Sequence, residues 1–162
     1  MDPALVSRPS APRAWPSLPL VLLLFLVGCY TIAFSVLSIQ ERAALYQFDE
    51  DLAIYDQIVW NTARGHLFDS TLIQHANNML GDHFSPAVAL FAPIYWVWPD
   101  ARVLLIGQSL LLGLAALPLF LAARRPLGDL AALFVGGTYL VYPALHFVNL
   151  SLIHISEPTR QA

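Results

Sequence analysis

Apolar and polar positions divide the chain into three long hydrophobic runs and one long mixed stretch. Leu18 to Ile39 carries no charged residue over roughly 22 positions, enough for a helix that crosses a bilayer. Arg8 and Arg13 precede this run, as basic residues precede a secretion signal. The run outlasts a signal's apolar core, however, and no small-x-small cleavage site follows before Gln40-Glu41-Arg42, so a permanent helix is predicted. Val103 to Ala123 is a second run, closed by Arg124-Arg125-Pro126. Leu130 to Val148 is the third, with Gly136-Gly137 as a close-packing spot and Pro143 as a kink. The predicted organisation is a tail at 1–17, spans at 18–39, 103–123 and 130–148, a long loop at 40–102, a short loop at 124–129 and a tail at 149–162.

Within the long loop, Asp49 can cap a helix in which Leu52, Tyr55, Ile58 and Val59 recur at helical spacing, and Gly65 supplies the stop. Such a helix would lie in the membrane interface with its polar residues toward water, Gln57, Asn61 and Arg64 along one line. A second short helix is predicted from Ser85 (cap) and Pro86 (first turn) to Val97, ended by Trp98-Pro99-Asp100. It rises about 18 Å, too little to cross. Tyr95, Trp96 and Trp98 suit an aromatic belt at the headgroups. An alternative joins this piece to the next run as one broken span.

Composition agrees with lipid as the main solvent. The 162 residues are 57% hydrophobic and 12% charged, with a mean hydropathy of +0.61, whereas soluble domains are about one quarter charged. The fold class is therefore all-α: a polytopic transmembrane protein with three spanning helices and interfacial helices in a long outer loop, with membrane lipids as partners. A net charge of -3 without clustered cations speaks against a nucleic-acid partner. The single cysteine, Cys29, lies in an apolar run, so neither a disulfide framework nor a cysteine metal site is available. Arginine placement sets the direction. Arg8, Arg13 and the Arg124-Arg125 pair fall on one side, and the loop with eight of the chain's eleven acids falls on the other. The positive-inside rule then gives a multi-pass protein of the cell membrane with a cytoplasmic N-terminus and an extracytoplasmic acidic loop.

The stretches "FDEDLAIYDQIVWNTARGH", "LGDHFSPAVALFAPIYWVWP" and "GQSLLLGLAALPLFLAARRPLGDLAALFVGGTYLVYPALHFVNL" occur in that order between Leu45 and Leu150. In them the chain resembles the multi-pass membrane proteins of prokaryotes grouped as domain of unknown function 2079. More distantly, that family resembles the integral-membrane glycosyltransferases of the GT-C fold. The pattern Asp51, Ala53, Tyr55, then Asn61 and Gly65, is similar to the acidic motif of the protein-mannosyl and aminoarabinose transferase group, and "HFSP" is placed as in that group. The resemblance implies a GT-C-like N-terminal part, a polyprenyl-phosphate-linked sugar as donor, and further helices of a full-length chain as partners. After "FVNL" the sequence departs from the family: Ser151 to Arg160 looks like a sequencing adapter translated in frame. The expectation is an N-terminal fragment that is inactive alone.

Four acids fall between Phe48 and Asp56. Within the resemblance, Asp51 would be a general base that takes the acceptor hydroxyl's proton as the anomeric bond breaks. Partial burial against Phe48 and Tyr55 would raise its pKa toward that task. Glu50 or Asp49 could position the acceptor. Asp82 and His83 precede a helix start, where backbone N–H groups favour a lipid phosphate, and His83 could bind or protonate it. Arg64 could pair with phosphate as well. The structural alternative needs only helix physics: acids in a first turn and an arginine in a last turn each suit the dipole by roughly 0.3–1 kcal/mol. No Asp-x-His or His-x-x-x-His spacing occurs among the acids and His66, His75 and His83, so no metal site is expected. No Gly-rich phosphate loop, Ser-His-Asp order or haem pattern occurs, and no cofactor is expected. The rival reading is a non-catalytic membrane protein, a transporter piece or a scaffold. A charge inside a span would favour transport, and only His146 is ionisable there.

Overall fold

A computed structural model describes residues 17–43, 50–73, 78–82 and 85–150, excepting the side chains of residues 50, 51 and 82. Helix α1, Leu18–Ala43, is 26 residues long and so extends about 39 Å. It runs past the expected end at Ile39 because Gln40, Glu41 and Arg42 are good helix formers that need no lipid. One stripe of it is buried, from Leu23 through Val27 and Tyr30 to Ser35 and Ser38.

The second apolar run forms α5, Arg102–Leu114, and α6, Ala116–Leu127, which together make one helix of 26 residues long and apolar enough to cross a membrane. Pro118 has no N–H for the Leu114 carbonyl, which accounts for the irregularity at Ala115. The helix does not close at Arg124-Arg125-Pro126 as expected. It continues to Leu127 and stops at Gly128, whose φ of 83° suits glycine and whose N–H reaches the Arg124 carbonyl at 3.0 Å. After this one-residue turn comes α7, Asp129–Leu140. Arg124 grips Asp129 across the turn with two nitrogen–oxygen contacts, 2.6 and 3.3 Å.

The third run is α7 followed by α8, Pro143–Leu150, bent by 45° at Val141-Tyr142. The kink at Pro143 is thus as expected. Gly136 is the close-packing point: a Cβ there would stand 2.8 Å from a Leu23 methyl and 3.5 Å from the Ala116 carbonyl. Gly137 faces open space instead. The described chain therefore has two helices long and apolar enough to span a membrane, and three if the bent pair is one span. Leu23, Val27, Tyr30, Ala116, Phe120, Ala132, Leu140 and Leu145 form their shared core.

Between α1 and α5 lie α2, Glu50–Thr62, the four-residue α3, Met79–Asp82, a 3-10 helix over Pro86–Phe91, and α4, Ala92–Tyr95. The second short helix is thus part 3-10, not one α-helix. Pro93 cannot donate to the Ala89 carbonyl, so the Ala92 N–H takes it at the tighter spacing. Ser85 makes no side-chain cap there. Among the described residues no strand forms, only an isolated bridge between Asp69 and Asn78.

Candidate functional site

The acid-bearing helix α2 is seated on the end of the bundle by an apolar stripe. Leu52 and Val59 are buried with Tyr95, Ala101 and Val103 to Leu105, and Ile39 of α1 packs against the same cluster. Burial of these side chains fixes which face of α2 looks outward. Glu50 and Asp51 begin the helix, so their backbone positions lie in its first turn. Their side chains, the side chain of Asp82, which ends α3, and all of Asp49, His75 and His83 lie outside the described residues.

Asp56 falls inside the apolar stripe, four residues after Leu52 and three before Val59. Its carboxylate accepts a 2.6 Å hydrogen bond from the Tyr95 hydroxyl. Burial, then this bond and the charges of Asp56 and Asp100, push the Tyr95 phenol well above its ordinary pKa. The phenol therefore stays the donor, and the bond ties α4 to α2. Periodicity marked the stripe but treated Asp56 as one more acid for the helix dipole. An acid at an i+4 position within an apolar stripe was the available signal.

The opposite line of α2 does not simply face water, as expected. Gln57 accepts from the Ser70 hydroxyl at 2.7 Å and the Thr71 N–H at 3.0 Å, and donates to the Thr71 hydroxyl at 2.9 Å. Asn61 donates to the Asp69 carbonyl at 2.8 Å. Both clamp the following loop onto α2, because that loop's polar groups lack a ladder of their own. Arg64 departs from this line. It lies beyond the end of α2 and folds back, 3.6 Å over the Trp60 ring, with one nitrogen on the Trp60 carbonyl. Trp96 donates its indole N–H to the Ala63 carbonyl at 2.7 Å, tying α4 to the same end.

Two open apolar cavities of about 350 and 480 Å³ flank the Phe91 ring, and the smaller borders α2 at Tyr55. Tyr55, Leu104 and Gln108 line the smaller, and Leu90, Ile94 and Ile106 line the larger. Phe91 fits where it does because Gly107 has no side chain: a Cβ there would overlap the ring, 2.6 Å from its Cζ.

Deeper in the bundle a polar node joins three helices. Asn149 donates to the Tyr30 hydroxyl and accepts from the Ser109 hydroxyl, both at 2.9 Å. Asn149 is 2% exposed and Ser109 is fully buried. Gln108 donates to the Val148 carbonyl at 2.8 Å. His146 meets the Leu140 carbonyl at 2.7 Å, which requires a proton on its Nε2. That carbonyl lies at the Pro143 break, so the imidazole satisfies an acceptor the bend would strand. Nothing in the sequence pattern singled out Asn149, which sits at the edge of its run. Among the described residues no three His, Cys, Asp or Glu side chains gather as a metal site would need.

Residues 43–155 match the family described as predicted membrane protein (DUF2079), and the chain belongs to it. No curated protein and no solved structure matches the chain.

Proposed function

We propose that this member of the family is the N-terminal part of a GT-C-like glycosyltransferase that draws its sugar from a polyprenyl-phosphate carrier. On this reading the N-terminus is cytoplasmic and α2 lies on the extracytoplasmic face of the cell membrane. Asp51 is the general base, Glu50 positions the acceptor, Arg64 and His83 serve the donor phosphate, and Asp82 belongs to the same substrate site beside His83. One observation supports it above the others. The first turn of α2 begins a helix seated against the bundle's end, with an apolar cavity between its Tyr55 and Phe91. A lipid-linked donor needs that combination of carboxylate and apolar surface, since its tail stays in lipid while its sugar meets the base. The test is Asp51→Asn in the full-length protein, with transfer from a polyprenyl-phosphate sugar as the readout. Transfer should be abolished while membrane insertion is unchanged; undiminished turnover rejects Asp51 as base.

A second reading, a non-catalytic scaffold or transporter piece, draws on Asp56. Its carboxylate is engaged by Tyr95 within the protein, as a structural acid's would be. Full-length protein with no transfer to any acceptor, yet with Tyr95→Phe destabilised, would favour it.

A further inference from the structure

The stretch from Pro86 to Trp98 is apolar on every side. It holds no charged residue. Val88, Phe91, Ala92 and Tyr95 turn inward, while Leu90, Ile94 and Val97 are 76%, 45% and 88% exposed. These three recur at helical spacing and so make one outward stripe. A helix lying flat in the interface turns polar residues outward. One that is apolar all round belongs in a core or in lipid.

Packing against α5 sets its depth. Trp98 and Val103 line one cavity together with Phe91 and Gly107, and with Ala87, Val88 and Leu111 farther along. Trp98 lies four residues before α5 and Phe91 lies against Gly107, so the stretch runs antiparallel to the start of α5. Arg124, on the same long helix, marks the far boundary of the apolar layer. Helical rise puts Gly107 about 26 Å and Leu111 about 20 Å from Arg124, against a hydrocarbon core of about 30 Å. Phe91 then lies about 4 Å below the boundary on the loop side, and Val88 about 10 Å below it. Pro86 at the deep end has no N–H to leave unpaired in hydrocarbon.

We propose that Pro86 to Phe91 dips into the acyl chains of the loop-side leaflet, antiparallel to α5, with Leu90 against lipid hydrocarbon and Ile94 at its boundary. The dip is independent of any transfer chemistry. It is tested by nitroxide labels on the full chain, Cys29→Ser, in phosphatidylcholine–phosphatidylglycerol vesicles. Leu90→Cys and Ala87→Cys, both at exposed positions, are separate variants, so misfolding of one leaves the other. Phe25→Cys on the exposed face of α1 is the lipid reference and His66→Cys in the loop is the water reference. Collision with oxygen is compared with collision with a water-soluble nickel chelate. The oxygen-to-nickel ratio at both dip positions should fall within about twofold of Phe25, because oxygen partitions into the hydrocarbon layer. A ratio like that of His66 overturns the dip. Protection from both reagents overturns it as well, because another helix or a protein partner then covers the stripe.

Discussion

Replacing Asn149 by Leu keeps the side chain's approximate volume while deleting both of its hydrogen bonds. The two bonds, to Tyr30 and from Ser109, are each 2.9 Å, and the three groups are at most 7% exposed. Side-chain hydrogen bonds inside membranes contribute about 0.6 kcal/mol each and at most about 1.7 kcal/mol. Two of them give about 1–2 kcal/mol for Asn149→Leu once the stranded Tyr30 hydroxyl is included. Tyr30→Phe alone should cost about 1 kcal/mol, leaving the Asn149 amide with an unmet donor. The double variant replaces both partners by apolar groups, and Ser109 can turn to its own helix's carbonyls. Its loss should therefore be smaller than the sum of the singles by about 0.6–1.7 kcal/mol. Unfolding of the four proteins in bicelles, followed by denaturant titration, measures that coupling. Strict additivity would refute the idea that these residues act as one node.

Gly107→Ala should destabilise by about 1–3 kcal/mol through overlap with the Phe91 ring, and Phe91→Ala in the same protein should relieve the overlap, both read by thermal unfolding. Tyr95→Phe should cost more than Asp56→Asn, by about 1 kcal/mol, because it leaves the Asp56 carboxyl without its donor while the asparagine can still accept from the phenol. The raised Tyr95 pKa makes stability fall as pH climbs above about 10, where the unfolded phenol ionises first, and Tyr95→Phe should flatten that slope. Gln57→Leu removes three bonds to Ser70 and Thr71, so amide exchange at Thr71 should quicken by about tenfold or more, the equivalent of about 1.4 kcal/mol. Unchanged exchange there would show that the clamp is not what holds the loop.

The long apolar helices were legible because hydrocarbon demands long uncharged runs, and the bend at Pro143 because proline removes a donor. Helix ends were less so. Ala43 and Leu127 both lie beyond the apolar limits, since backbone hydrogen bonding continues after hydropathy stops and yields only to a residue such as Gly128. The seat of α2 was readable in Leu52 and Val59. Its polar side was not, because Gln57 and Asn61 find partners eight to fourteen residues away, a relation no local period encodes. Asn149 depended on residues 40 and 119 positions distant. For the candidate site the sequence offered residue types in order, and Arg64 shows the gap that remains: its stacking on Trp60 follows from where α2 ends, at Thr62, three residues before the expected stop.

The one-residue turn at Gly128, clasped by Arg124 and Asp129, bears on biogenesis. Two apolar helices joined so closely leave no linker to keep one in the translocation channel while the other partitions into lipid. The expected behaviour is that they leave the insertion machinery as a pair, which crosslinking of the nascent chain to the translocation channel would read. Lengthening this turn should therefore disturb membrane integration of the nascent chain before it disturbs the finished protein.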